Sequence, residues 1–200
     1  MNLALFQWIA AGYAPHPWLL PLACAIALGG AWVTASLMGW AAWQHPSERG
    51  YVIAALMVSA ATTPIAHAIA GLLNAPRPFM LGLSPAYIAH GARGSLPSTH
   101  AAVMFTVALI FLLRPRLRVV GFAMAAAAAA TGWARVYVGV HFPLDIAAGL
   151  LVALAVGAVF SVVQWLGRRC ITPFIARDDC REGPLATEPE TAGHSRGNSP

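Results

Sequence analysis

Apolar residues run through this chain in long blocks, without the alternation of a strand or the single stripe of a soluble helix. Five such runs, at 18–43, 51–73, 97–113, 117–133 and 143–166, carry few or no charges. Crossing the hydrocarbon of a bilayer takes about 20 helical residues, and the third and fourth runs are a little short of that. Because lipid offers the backbone no hydrogen-bond partners, each run predicts a helix. The expected fold is all-α, a polytopic transmembrane helix bundle of about five spans. Residues 1–16 hold Leu3, Leu5, Phe6, Trp8 and Ile9 among few polar groups, which predicts a short helix lying in the membrane interface. Apolar runs continue along the chain and no charged stretch precedes the first, so that run is not read as a cleavable signal. After residue 167 the composition shifts to Arg, Asp, Glu, Gly, Ser and Pro. The expected division is an interfacial segment at 1–16, a membrane domain at 17–169 and a disordered cytoplasmic tail at 170–200.

Composition supports this reading. The chain is 58% hydrophobic and only 10% charged, whereas a soluble domain has about 25% charged residues. A net charge of +5 could suggest a nucleic-acid partner, but in so apolar a chain basic residues mark the cytoplasmic ends of helices. All the basic residues are arginine. Strict alternation of the runs puts Arg49, Arg114, Arg116, Arg118, Arg168 and Arg169 on one face, the cytoplasmic one. The N-terminal segment and the loops 74–96 and 134–142 then share the outer face, and these loops hold Arg77, Arg93 and Arg135 against the trend. The three cysteines form no C-x-x-C pair, so neither a zinc site nor a disulfide framework is indicated.

Polar residues stand out against such a background. Between Tyr51 and Ala176 the sole acidic residue is Asp145, and a carboxylate at a helix centre costs roughly 2.5–3.5 kcal/mol, which makes it a functional candidate. Parity brings Arg77-Pro78, Pro97-Ser98-Thr99-His100 and the stretch from Arg135 to Asp145 to one membrane surface. Two arginines, two histidines and a serine at a helix start suit a tetrahedral oxyanion. Guanidinium forks pair with phosphate oxygens, and the free N–H groups of a helix's first turn add a positive dipole end. Ser98 or Thr99 can cap the helix that follows Pro97, and His100 in its first turn can protonate a leaving oxygen. His141 and Asp145 are four apart at the start of the last run. A carboxylate that accepts one imidazole N–H leaves the other nitrogen as a nucleophile.

In order and internal spacing these residues resemble the type 2 phosphatidic acid phosphatase superfamily, which shares its core with vanadium haloperoxidases. Its signature runs K-x6-R-P, P-S-G-H, S-R-x5-H-x3-D. Arg77-Pro78, Pro97-Ser98-x-His100 and Arg135-x5-His141-x3-Asp145 match it, within a region of about 67–150. The run from Arg135 to Asp145 looks most like bacterial undecaprenyl-diphosphatases. The resemblance implies that Arg77, Arg135 and Ser98, with the Thr99 N–H, hold phosphate. It also implies that His100 is the general acid, His141 the nucleophile and Asp145 its partner, with no metal or other cofactor. The implied substrate is a lipid phosphate or diphosphate, handled at the periplasmic face of the bacterial inner membrane, with no nucleic-acid partner. Three positions depart: the motif lysine falls on Ala70, the glycine on Thr99 and the serine before the second arginine on Ala134. Loss of the lysine removes a phosphate-binding cation, for which His67 or Arg93 are the candidate replacements. Rival readings are the same chemistry on phosphatidate, phosphatidylglycerol phosphate or lipid A, a catalytically weakened lipid-phosphate binder, and a small transporter whose path these polar residues line.

Overall fold

The computed structural model describes residues 1–170, and the tail expected to be disordered lies outside the described residues apart from its first, Cys170. Among the described residues all regular structure is helical: α1 (Asn2–Ile9), α2 (Leu19–Gln44), α3 (Arg49–Leu73), α4 (Thr99–Leu112), α5 (Arg118–Tyr137) and α6 (Pro143–Cys170). Short 3-10 turns at Pro46–Glu48, Pro78–Leu81 and Pro115–Leu117 each open on a proline, whose fixed φ and missing N–H suit the first position of a turn. Four helical stretches are long and apolar enough to cross a membrane, and α4 is a shorter apolar helix. Residues 1–161 form one compact unit. Within the second unit, which starts at Val162, the Arg169 guanidinium lies 4.8 Å over the Trp165 ring.

In the first unit the helices pack through small residues and present large ones outward. Ala23, Ala27, Thr34, Ala55, Ser59, Thr62, Ala66, Ala102 and Thr106 are buried, while Leu28, Trp32, Ile53, Met57, Val119, Phe122 and Leu151 are exposed. Water would penalise that outer surface. Lipid does not, and close approach through small side chains is how helices associate in it. The hydroxyls of Thr34, Ser59, Thr62 and Thr106 each bond the carbonyl four residues back, so they reach the interior already satisfied. The chain is thus a membrane protein. Helix α4 packs between α3 and α5, and α2 lies on α5.

The two ends of this unit differ in chemistry. At one, the turns 45–48 and 113–117 meet through Glu48, 3% exposed, which accepts Arg114 Nε at 2.7 Å and has Arg116 Nη1 at 3.6 Å. At the other gather the ends of α3 and α5, the starts of α4 and α6, and the long loop 74–98. Asn74, at φ 41°, closes α3 in the left-handed conformation that asparagine tolerates. The α5–α6 turn depends on Gly139, at φ 79°, where an added Cβ would come within 2.5 Å of the Pro85 carbonyl. One boundary corrects the sequence reading. Helix α5 runs on to Tyr137, so Arg135 sits in its last turn and not in a loop. The N-terminal segment does more than anchor. Phe6 is 1% exposed and packs on Phe142 at 5.2 Å, and Asn2 Oδ1 accepts the Leu144 N–H at 3.1 Å.

Candidate active site

The α5–α6 turn holds His141 rigidly. Its N–H and that of Val140 both reach the Arg135 carbonyl, at 3.3 and 3.2 Å, and its side chain is 2% exposed. Its Nδ1 lies 3.3 Å from Asp145 Oδ2. That same oxygen accepts the Phe142 N–H at 2.8 Å and the Ser95 hydroxyl, and Ser95 Oγ is 3.4 Å from His141 Nδ1. On the far side of the ring, Nε2 is 3.2 Å from Arg77 Nη1. A guanidinium can only donate, so Nε2 is the acceptor and the imidazole proton belongs on Nδ1, facing Asp145. The structure thus brings His141 and Asp145 together and adds Ser95, absent from the sequence reading, which gives the carboxylate a third donor.

Arg77 is 6% exposed and bound on every side. Its Nε donates to the Arg93 carbonyl at 2.9 Å, Nη1 to the Val140 carbonyl at 2.9 Å, and Nη2 to the Gly94 carbonyl at 3.2 Å. Adding the contact with His141, these bonds occupy four of the five N–H groups of a guanidinium. Arg77 is first a tie between the loop 91–95 and the turn 138–141. Arg135, 3% exposed, is held more loosely: Nη2 lies 2.7 Å from His90 Nε2, Nη1 is 3.4 Å from the Ala27 carbonyl, and Nε has no partner.

Ser98 sits at the N-cap position of α4, yet its hydroxyl makes no capping bond and is buried without a partner. This corrects the expected cap. Its backbone N–H instead donates to the Asp145 carbonyl, at 2.9 Å, which fastens the start of α4 to the first turn of α6. Ser98 Oγ, Arg135 Nε and His90 Nδ1 are three of the four buried side-chain polar atoms left unpartnered among the described residues. Buried donors without acceptors are costly, and their clustering on one site's residues suits an anionic ligand.

A cavity of about 920 Å³ is lined by Arg77, His90, Arg135, His141, His100 and Thr99, whereas Ser98 is buried and is not among its lining residues. His67, Ala70 and Arg93 line it too, so both candidate replacements for the lysine face the same space as the position that lacks it. Gly94 explains how the loop reaches there: a Cβ at 94 would lie 2.1 Å from the Ala70 carbonyl, so only glycine lets the loop press onto α3. His90, which the sequence reading passed over, lines the cavity as well. Its signal was present, a histidine and an arginine set between glycines and alanines, His90-Gly91-Ala92-Arg93-Gly94, in the interval between two phosphate-binding motifs.

Fold and site together define a membrane phosphatase in which basic and imidazole groups converge on a cavity at one end of the helices. The PAP2 superfamily model matches residues 50–169, and the chain belongs to that superfamily. It is 34% identical over 167 residues to YbjG of Escherichia coli (strain K12), a protein provisionally named undecaprenyl-diphosphatase, with 82% of this chain and 83% of that one covered. It is 29% identical over 116 residues to the undecaprenyl-diphosphatase BcrC of Bacillus subtilis (strain 168), covering 58% of this chain and 59% of that one. Among solved structures, LpxE of Aquifex aeolicus superposes with a TM-score of 0.62 at 27% identity, covering 79% of this chain and 93% of that one. A transmembrane PAP2-type phosphatidylglycerolphosphate phosphatase of Bacillus subtilis superposes with a TM-score of 0.59 at 18% identity, covering 85% and 88%, and shows the shared fold.

Burial, reinforced by the charges of Arg135 and Arg77 and opposed by the hydrogen bond to Asp145, pushes the His141 imidazole down to about 4. Protonation would fill the Nε2 lone pair. With a lowered value that lone pair stays free as the pH falls through the ordinary histidine value, and is lost only on approach to 4. The acid limb of kcat/KM is therefore expected below about pH 6. By the same displacement the unfolded chain takes this proton first, so folding stability declines as the pH drops from about 6.5. A pH profile of kcat/KM checks the first statement, and an acid limb above pH 6.5 contradicts it.

Proposed function

We propose that this protein is an undecaprenyl-diphosphate phosphatase that works through a covalent phosphohistidine on His141. The carrying observation is the buried His141–Asp145 pair, with Nδ1 on the carboxylate at 3.3 Å and Nε2 turned toward a guanidinium. In this reading the terminal phosphate replaces His141 Nε2 as the acceptor for Arg77 Nη1, which frees the lone pair. Nε2 then attacks phosphorus, the bond to the bridging oxygen breaks, and His100 gives that oxygen its proton. The lipid monophosphate leaves; water then attacks phosphorus as His100 takes up its proton, the N–P bond breaks with its electron pair returning to His141 Nε2, and inorganic phosphate leaves. Arg77, Arg135, the Ser98 hydroxyl and the Thr99 N–H hold the equatorial oxygens, the main task in phosphoryl transfer. Undecaprenyl diphosphate is favoured by the names of the relatives and by the resemblance of the run from Arg135 to Asp145.

The reaction in this reading needs no metal, because guanidinium and N–H groups supply the positive charge. Its support is that Arg77, Arg135 and the first residues of α4 line one cavity. Phosphate release by the purified protein in detergent with EDTA is the test, with undecaprenyl diphosphate, phosphatidate, phosphatidylglycerol phosphate and lipid A in parallel. Activity is expected to survive chelation, to be highest on undecaprenyl diphosphate and to be inhibited by vanadate. Loss in EDTA with recovery in magnesium contradicts the metal-free mechanism. Preference for another of these lipids replaces the substrate but keeps the chemistry. Binding without release from any lipid returns the reading of a weakened lipid-phosphate binder.

Arg93 compensates for the lysine absent at Ala70, in this reading, with His67 as the alternative. The support is that all three positions line one cavity and that Arg93 is tied beside the site through its own carbonyl to Arg77. Arg93→Ala is expected to lower kcat/KM more than about tenfold and His141→Ala to abolish turnover. If Arg93→Ala has no effect while His67→Ala does, the cation is His67. If neither matters and turnover is robust, compensation is wrong.

The site in this reading opens on the periplasmic face of a bacterial inner membrane, with the C-terminus in the cytoplasm. Arginine placement supports it, since Arg114, Arg116 and Arg118 gather at the end away from the cavity. In a cysteine-free background, single cysteines at 93 and 116 are expected to label from opposite sides. Labelling from one side contradicts the orientation.

A further inference from the structure

His90 stands outside all three motifs, and the reaction just described leaves it unused. It lies in the loop 82–95, half-buried, and lines the cavity. Its ring stands perpendicular to that of His141, at 87° with 5.7 Å between centroids. Its Nε2 is 2.7 Å from Arg135 Nη2, the shortest contact that Arg135 makes. Without it, this buried guanidinium would be held only by the 3.4 Å contact to the Ala27 carbonyl, and Nε has no partner at all.

We propose that His90 is a positioning residue, whose Nε2 accepts Arg135 Nη2–H and so sets the plane in which the guanidinium meets phosphate. The proposal rests on the reading that Arg135 holds the substrate's phosphate. Burial, then the charges of Arg77 and Arg135, push the His90 imidazole down to about 4, so at neutral pH it is an acceptor and not a third cation. Since Nε2 accepts, the ring proton belongs on Nδ1, a buried atom that makes no hydrogen bond of good geometry. A planar fork recognises a tetrahedral anion only in a narrow range of orientations, and here the short bond to His90 at one Nη with the longer one to Ala27 at the other holds that plane. Arg77 is fixed in a different way, by three backbone carbonyls. One arginine of the site is thus set by backbone and the other by a side chain. This makes Arg135 the one whose aim a single substitution can spoil while leaving the fold intact.

The test uses the full chain, purified in detergent, with kcat, KM and vanadate inhibition measured on undecaprenyl diphosphate. Variants are His90→Ala, His90→Gln, Arg135→Ala and the double His90→Ala/Arg135→Ala. Gln carries an acceptor oxygen close to where His Nε2 stood. For His90→Ala we expect KM and the vanadate inhibition constant to rise about tenfold, with a smaller fall in kcat, and for His90→Gln a return to within about threefold of the wild type. In the Arg135→Ala background, His90→Ala should change neither constant further, because the group it positions is gone. Three results overturn the proposal: a silent His90→Ala, a His90→Gln as impaired as the alanine variant, or effects of His90→Ala and Arg135→Ala that simply add. An unfolded His90→Ala leaves the decision to His90→Gln, which must retain wild-type vanadate inhibition. If Arg135→Ala itself leaves KM and vanadate inhibition unchanged, the phosphate-site reading fails and this proposal with it. A damaging Arg135→Ala beside a silent His90→Ala sinks the proposal alone.

Discussion

A guanidinium taken out of water needs an acceptor for each of its N–H groups, and Arg77 finds them on both loops that build the cavity floor. Through the Arg93 and Gly94 carbonyls it fixes the loop that carries His90 and Ser95, and through the Val140 carbonyl and His141 Nε2 it fixes the turn that carries the His141 ring. A hydrogen bond to a charged group contributes about 1.5–3 kcal/mol, more than an exposed ion pair is worth. Ile88 of the loop and Val138 and Val140 of the turn also pack with Ala23, Ala27, Ala134 and Tyr137 in one apolar cluster, so loop positions are set by this packing together with the bonds of Arg77. Arg77 has consequently two tasks that compete. The fork that holds the loops is also the one that a phosphate must engage, and its contact with Nε2 is what substrate has to replace in the proposed mechanism.

Around that tie the rest of the unit acts as a frame. Asp145 gathers the Phe142 N–H, the Ser95 hydroxyl and the His141 imidazole on one oxygen, and its backbone carbonyl takes the Ser98 N–H. A single residue of α6 thereby joins the turn that carries His141, the loop and the start of α4. Helices that contact each other through Ala, Gly and Thr bring these ends close, because small side chains let the backbones approach. The opposite end is closed by Glu48 and Arg114, with the Arg114 guanidinium 5.1 Å over the Tyr51 ring. That ion pair lies outside the cavity, and its position away from Asp145 keeps one carboxylate alone among the site's arginines.

Much of this was legible in the sequence because hydropathy runs and motif spacing are local signals. The helices were found to within a few residues, save that α5 continues through Arg135. The run looked finished where charge appeared, but a buried arginine that finds His90 need not end a helix. His141 with Asp145 followed from their four-residue spacing, and Arg77 from its motif. Ser95, His90 and Glu48 were not found, for a shared reason. Each acts on a residue 45 to 66 positions away, so no periodicity or short motif announces it. The Ser98 N–H bond to the Asp145 carbonyl joins α4 to α6 across 47 positions, and no local signal announces it either.

The absent lysine sharpens what the site has to do with fewer cations. In the proposed mechanism Arg77 is largely spent on the loops and Arg135 depends on a side chain, so turnover rests on a nucleophile kept unprotonated and in a fixed orientation more than on a ring of charges. That places its weight on one bond, between His141 Nε2 and phosphorus. The direct measurement is rapid quenching of the purified protein in its first turnover on undecaprenyl diphosphate labelled in the terminal phosphate, followed by mapping of the labelled peptide. The account predicts label on His141 that is stable to base and lost in acid. Label on any other residue, or phosphate released with no covalent species at any time point while turnover continues, would contradict it.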